Sequence, residues 1–162
     1  MNKKETEVIL QRIQKWYDRL PGLLIYDQRN FDAKYGWSKD PIPFNDRHSL
    51  DYRSIKEGDE WGGKWESAWF HLTGRVPEEW KGKSIAANLD FSGEGLVFSK
   101  DGEVIQGITN ASIWDPNFAR PRVPLIDSSK GGEDIELWVE AAANSLFGVF
   151  TDPDPEKDNP KR

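Results

Sequence analysis

Cysteine is absent from this chain of 162 residues, which excludes disulfide frameworks, thiolate-ligated zinc, iron–sulfur clusters and thiol nucleophiles together. Histidine is scarce, with two copies. Long apolar runs are missing: no window approaches the roughly 18 apolar residues of a membrane span. The charged opening Met1-Asn2-Lys3-Lys4-Glu5-Thr6-Glu7 offers no apolar stretch of the roughly 7–15 residues that a signal peptide needs. An excess of positive charge is lacking too. With 22 basic against 28 acidic residues, the formal charge is −6 and the pI about 5.0. That balance argues against nucleic-acid binding, whose affinity comes from Lys and Arg neutralising phosphates, and against anionic membrane surfaces. The expectation is a cytoplasmic protein with neither nucleic acid nor membrane as partner.

What is present suffices for one domain of ordinary size. Leu, Ile, Val and Phe together number 37 of the 162 residues, above the level of about 20% below which chains stay disordered. Eight Trp and eight Phe supply large side chains, each removing roughly 150–250 Å² from water when buried.

Over residues 6–20, Ile9, Ile13, Trp16, Tyr17 and Leu20 recur at helical spacing, which predicts an amphipathic helix. Thr6 is a candidate cap, and Pro21-Gly22 a stop, so the helical segment is placed at 1–22. Its apolar stripe packs either on the rest of this chain or on something outside it. Residues 23–57, with Pro41, Pro43, Gly36 and many Asp and Asn, read as an irregular lead-in arm with at most short strands.

From 58 to 150 the texture is that of an antiparallel sandwich. Strands are predicted at 65–75, 85–91, 95–99, 103–109, 122–126 and 134–142, with a last one at 146–150. The clearest alternates Ile135, Leu137, Val139 and Ala141 with Glu136, Trp138 and Glu140, giving one apolar and one mixed face. Lys100-Asp101-Gly102 is a hairpin turn, since Asp-Gly accepts positive φ. Turns are also expected at 77–82 and 128–132. The tail 151–162 is charged, carries three prolines and no apolar side chain, and reads as a linker toward a further domain.

Chemistry-bearing constellations are thin. His48 and His71 show no metal-ligand spacing, and no Gly-x-Ser-x-Gly, P-loop or Gly-x-Gly-x-x-Gly element occurs. A glycosidase needs two carboxylates at controlled separation, which sequence alone does not display. Glu94, between Gly93 and Gly95, is the carboxylate that flanking glycines would re-aim at a bulge; a strand-edge turn explains it equally. Trp61, Trp65 and Trp69 invite a sugar-stacking reading. On a regular strand Trp65 and Trp69 point the same way, which serves a core platform as well. Asn144, just past a strand, is a turn residue or a ligand residue. Trp61, Trp65, Glu94 and Asn144 are therefore the candidate carbohydrate-binding set. No catalytic and no metal-ligating residue is assigned.

Several stretches in order resemble one family. They are Glu57-Gly58-Asp59-Glu60-Trp61-Gly62-Gly63-Lys64-Trp65 leading to Trp69-Phe70; Val76 to Gly82; Ser92 to Val97 with Asp101 to Thr109; and Leu137 to Gly148. Together they look like the segment that precedes the catalytic domain in cytosolic-type α-mannosidases of glycoside hydrolase family 38. Phe98, where the family often has Trp, and Ser145, where Gly is frequent, depart mildly. The resemblance implies a jelly-roll or galactose-binding-like β-sandwich with an N-terminal helix, itself inactive, at the start of a retaining exo-α-mannosidase. Zinc and an Asp nucleophile are then expected in a later domain, whose His-x-Asp motif has no match here. The partners it implies are that catalytic domain, a second copy in a homo-oligomer, and mannose-containing oligosaccharide. The alternative is a stand-alone carbohydrate-binding or interaction module.

Overall fold

A computed structural model describes residues 3–63, 65–109 and 119–143. The expected strand at 146–150, Asn144 and the tail 151–162 lie outside the described residues.

The chain divides into two units, Met1–Asn30 and Phe31–Arg162. The first contains helix α1, Lys3–Leu24. Thr6 is therefore inside the helix rather than its cap, and the helix runs through Pro21 and Gly22. A proline removes one i→i−4 bond and disfavours helix at the preceding residue; here that does not end the element, and the apolar pattern continues through Leu23 and Leu24. Gln14 Nε2 donates to Asp18 Oδ1 at 2.8 Å one turn on. Ile9, Ile13, Trp16, Tyr17 and Leu20 are exposed.

The second unit is a jelly-roll sandwich. Its strands are β1 Asp32–Ser38, β2 Arg53–Ser54, β3 Ser67–Arg75, β4 Ile85–Asn88, β5 Glu94–Ser99, β6 Val104–Thr109, β7 Arg122–Ile126 and β8 Asp134–Ala142. One sheet has the order β2-β1-β3-β8-β5-β6, the other pairs β4 with β7, and the described pairings are all antiparallel. The strands expected at 65–75, 85–91, 95–99, 103–109, 122–126 and 134–142 each correspond to an observed strand, with ends that differ by a few residues. The stretch expected to be an irregular arm differs: β1 and β2 lie within it and extend the large sheet, so the sandwich starts near Phe31 rather than at 58.

Alternation along β3, β5 and β8 sends Phe70, Leu72, Val97, Leu137, Val139 and Ala141 to one face, where they bury with Ala87, Leu89 and Val123 from the second sheet and its flank. At about 25 cal/mol per Å² of apolar area removed from water, this layer is the principal stabiliser of the fold. The opposite face, the mixed one of the sequence, carries Trp69, Phe98 and Trp138 and is covered by residues 42–52 of the former arm. A 3₁₀ turn at Phe44–Ser49 brings Phe44 edge-on to Trp69 at 5.7 Å. Trp69 Nε1 donates to Ile42 O at 2.8 Å. Tyr52 donates to Arg47 O at 3.0 Å, and burial pushes its phenol up to about 12, against the pull of the nearby Arg47 charge.

The hairpin joining β5 to β6 turns where expected, with Gly102 at φ 90°. In the turn before β8, Lys130 N–H and the Ser129 hydroxyl both donate to the Glu133 carboxylate, at 2.6 and 2.8 Å. Those hydrogen bonds favour the charged form and hold the carboxyl below its usual range.

Candidate functional site

One row of residues, Ser38, Ser67, Ala142, Glu94 and Thr109, crosses five adjacent strands at one end of the large sheet. There β1, β6 and β8 finish while β3 and β5 begin, so the loops entering β3 and β5 meet the exit of β8. Of the candidate set, Trp61 and Trp65 precede β3 and Glu94 opens β5, so the register of the sheet brings these three to this end.

The loop entering β3 is fixed by its own backbone. Glu66 O accepts from Ala143 N at 2.8 Å, Trp65 N donates to Ala143 O at 3.0 Å, and Glu66 N donates to Gly63 O at 3.0 Å. The Glu66 carboxylate reaches back to accept from Gly63 N at 2.5 Å. In the loop entering β5, Asp90 Oδ1 accepts from Ser92 N at 2.8 Å. Gly93 sits so close to β8 that an added Cβ would lie 2.8 Å from Ala142 O, which explains a glycine before Glu94.

The expected side chains separate here. Trp61 is 5% exposed. It packs edge-on against Phe70 at 5.0 Å and donates Nε1–H to Phe91 O at 3.1 Å, so it is core and closed to ligand. Trp65 is 39% exposed. It does not share a face with Trp69, as a regular strand would require: its φ is 68°, β3 starts only at Ser67, and Trp69 is buried under the 42–52 segment. Glu94 opens β5 at the surface, bridging Ala142 and Thr109 in the ladder. Asn144 is outside the described residues.

A second tryptophan joins the surface. Trp37, opposite Ala68 at the end of β1, is 47% exposed. Sequence reasoning missed it because Asp32-Ala33-Lys34-Tyr35-Gly36-Trp37-Ser38 lies in a stretch rich in breakers, although Ala33, Tyr35 and Trp37 do alternate. Trp65 and Ser92 are the non-glycine residues with positive φ among those described, at 68° and 53°, and both belong to loops at this end. Left-handed backbone in a non-glycine residue costs on the order of 1–3 kcal/mol and collects at functional positions.

This arrangement can present aromatic surface. Among the described residues at this end, the Glu66 and Asp90 carboxylates accept from N–H groups of their own loops. The described residues do not fit zinc. His71 stacks on the Trp138 indole at 4.0 Å and has Nε2 2.9 Å from Glu136 Oε1. His48 meets the same indole edge-on at 5.1 Å. Among the described residues no group of three or more His, Cys, Asp and Glu is placed to hold a metal ion. No helix of the described residues is long and apolar enough to cross a membrane.

Comparison with known proteins gives a consistent result. The family model for the jelly roll domain of Ams1-like α-mannosidases matches residues 30–161. Alpha-mannosidase G of Dictyostelium discoideum is 33% identical over 158 residues, covering 92% of this chain and 14% of that protein. Alpha-mannosidase 2C1 of Homo sapiens is 31% identical over 121 residues, 72% of this chain and 11% of that protein. The Mus musculus protein of the same name is 25% identical over 166 residues, with 95% and 16% covered. The chain thus spans well under a fifth of the length of the curated relatives it matches.

Proposed function

Because the chain belongs to the α-mannosidase jelly roll domain family, we propose that it is the non-catalytic β-sandwich domain of a zinc-dependent, retaining α-mannosidase of the cytosolic type. Its work is to pack on the catalytic part of the same polypeptide, while hydrolysis of α-mannosides, the zinc ion and the Asp nucleophile belong to that other part. The observation that carries this reading is the match across residues 30–161 in relatives of which the matched segment is 11–16%.

The test is an assay of the purified chain on an aryl α-mannoside, with and without added zinc. No turnover is expected. Turnover abolished by substituting one carboxylate would overturn the reading.

Partly exposed Trp65, at the same sheet end as Glu94, favours a second reading, in which this end touches mannose-containing oligosaccharide, since flat aromatic faces suit the apolar faces of pyranose rings. Titration with mannose and mannobiose followed by tryptophan fluorescence decides it. The absence of a saturable change up to the order of tens of millimolar, a limit of only about 2–3 kcal/mol of binding energy, removes this reading.

A further inference from the structure

We propose that the sheet end bearing Trp37 and Trp65 is the surface on which the rest of an α-mannosidase polypeptide seats. This rests on the function proposed above and names the contact surface for it. Three observations converge. In the second unit the exposed large apolar side chains among the described residues are Trp37, Trp65, Val104 and Ile105, and the two tryptophans lie at the end where β8 finishes. Tryptophan is the residue type most enriched among the buried anchors of interfaces. Both left-handed non-glycine residues, Trp65 and Ser92, hold loops of that same end in place. Strained backbone of this kind collects at functional positions.

The occupant follows from connectivity. The matched segment is a small fraction of its relatives, and β8 brings the chain to this end at Ala143, paired with the backbone of Trp65 and Glu66. A body tethered there meets this surface at high effective concentration, so modest contacts suffice to keep it docked. Val104 and Ile105 stand at the start of β6 beside the Gly102 turn, at the opposite end of that strand from Thr109, and serve as an internal reference.

The experiment is hydroxyl-radical footprinting of the 162-residue chain and of the full-length polypeptide that contains it. Labelling of Trp37 and Trp65 is expected to fall about five-fold in the full-length protein, as for side chains entering the desolvated centre of an interface, while Val104 and Ile105 keep theirs. Unchanged Trp37 and Trp65 in a full-length protein that hydrolyses the aryl mannoside would overturn this surface and leave the proposed function standing. A full-length protein with no such activity would overturn both. Equal protection of the tryptophans in the isolated chain by mannobiose would assign the surface to glycan instead. The variant Trp65→Gly separates docking from folding. Glycine accepts the φ of 68°, so the isolated chain is expected to keep or raise its unfolding midpoint, while Trp37 in the full-length variant loses its protection. A lowered midpoint of the isolated chain would make Trp65 a core residue and defeat the proposal.

Discussion

The guanidinium carbon of Arg47 lies 4.4 Å from the centre of the Trp138 indole, and each residue carries a buried N–H without an acceptor, Nε in Arg47 and Nε1 in Trp138. The same carbon lies 3.5 Å from the Phe44 ring centre, and Nη1 donates to Phe44 O at 2.6 Å. The 42–52 segment is therefore fixed by aromatic packing around a desolvated cation, at the expense of two orphan donors. Arg47→Ala, which empties the slot between the rings, is expected to lower stability by about 2–4 kcal/mol. Arg47→Met fills the slot without a charge or an orphan donor and is expected to fall within about 1 kcal/mol of the parent. Urea unfolding followed by tryptophan fluorescence measures both. Equal loss in the two variants would show that the guanidinium, with its charge and its hydrogen bond to Phe44 O, holds the segment.

Glu140 stands between Trp69 and Leu96 across the ladder, and burial raises its carboxyl above the ordinary value. The folded state therefore binds this proton more readily than the unfolded chain. The resulting stability is fully present below the ordinary glutamate value near 4.3 and is lost as pH rises through the folded value. Glu140→Gln should be the more stable protein at pH 7, with its advantage shrinking on acidification. Thermal melts across that range check the sign. An advantage that grows toward low pH would contradict it.

Gly93→Ala places a methyl group 2.8 Å from the carbonyl oxygen of Ala142, a backbone atom that cannot swing aside. The expected penalty is about 1–3 kcal/mol, with the start of β5 exchanging amide hydrogens faster. Parent-like stability would mean that the loop entering β5 is not held against the end of β8.

Trp61 and Trp65, four residues apart, should respond oppositely to truncation. Trp61→Ala removes a buried ring and its hydrogen bond to Phe91 O and should cost about 3–5 kcal/mol. Trp65→Ala should cost less than about 1 kcal/mol in the isolated chain, as expected for a partly exposed side chain away from the core. Matching losses would place both rings in the interior.

Much of the sandwich was legible because its strands alternate cleanly: Ile135, Leu137, Val139 and Ala141 do face the core, and Asp101-Gly102 does turn the β5–β6 hairpin. What stayed hidden was decided by tertiary context. The seven residues of β1 gain strand structure by pairing with β3 along their whole length, which outweighs Gly36 and the prolines that follow. Helix α1 passes through Pro21-Gly22 despite both local stop signals. At the candidate site, spacing alone could not separate Trp61 from Trp65. One backbone angle, φ 68° at Trp65, breaks the strand period, and the burial of Trp61 under the loop entering β5 depends on a contact 30 residues away in sequence.

The account rests on this jelly roll being a working part of a larger α-mannosidase. An antibody raised against the purified chain, used to precipitate the native protein from its own cells, tests that most directly. The account predicts a precipitate that hydrolyses an aryl α-mannoside and contains a polypeptide several-fold heavier than the 18.6 kDa of this chain. A precipitate holding only an 18.6 kDa protein without that activity would contradict it.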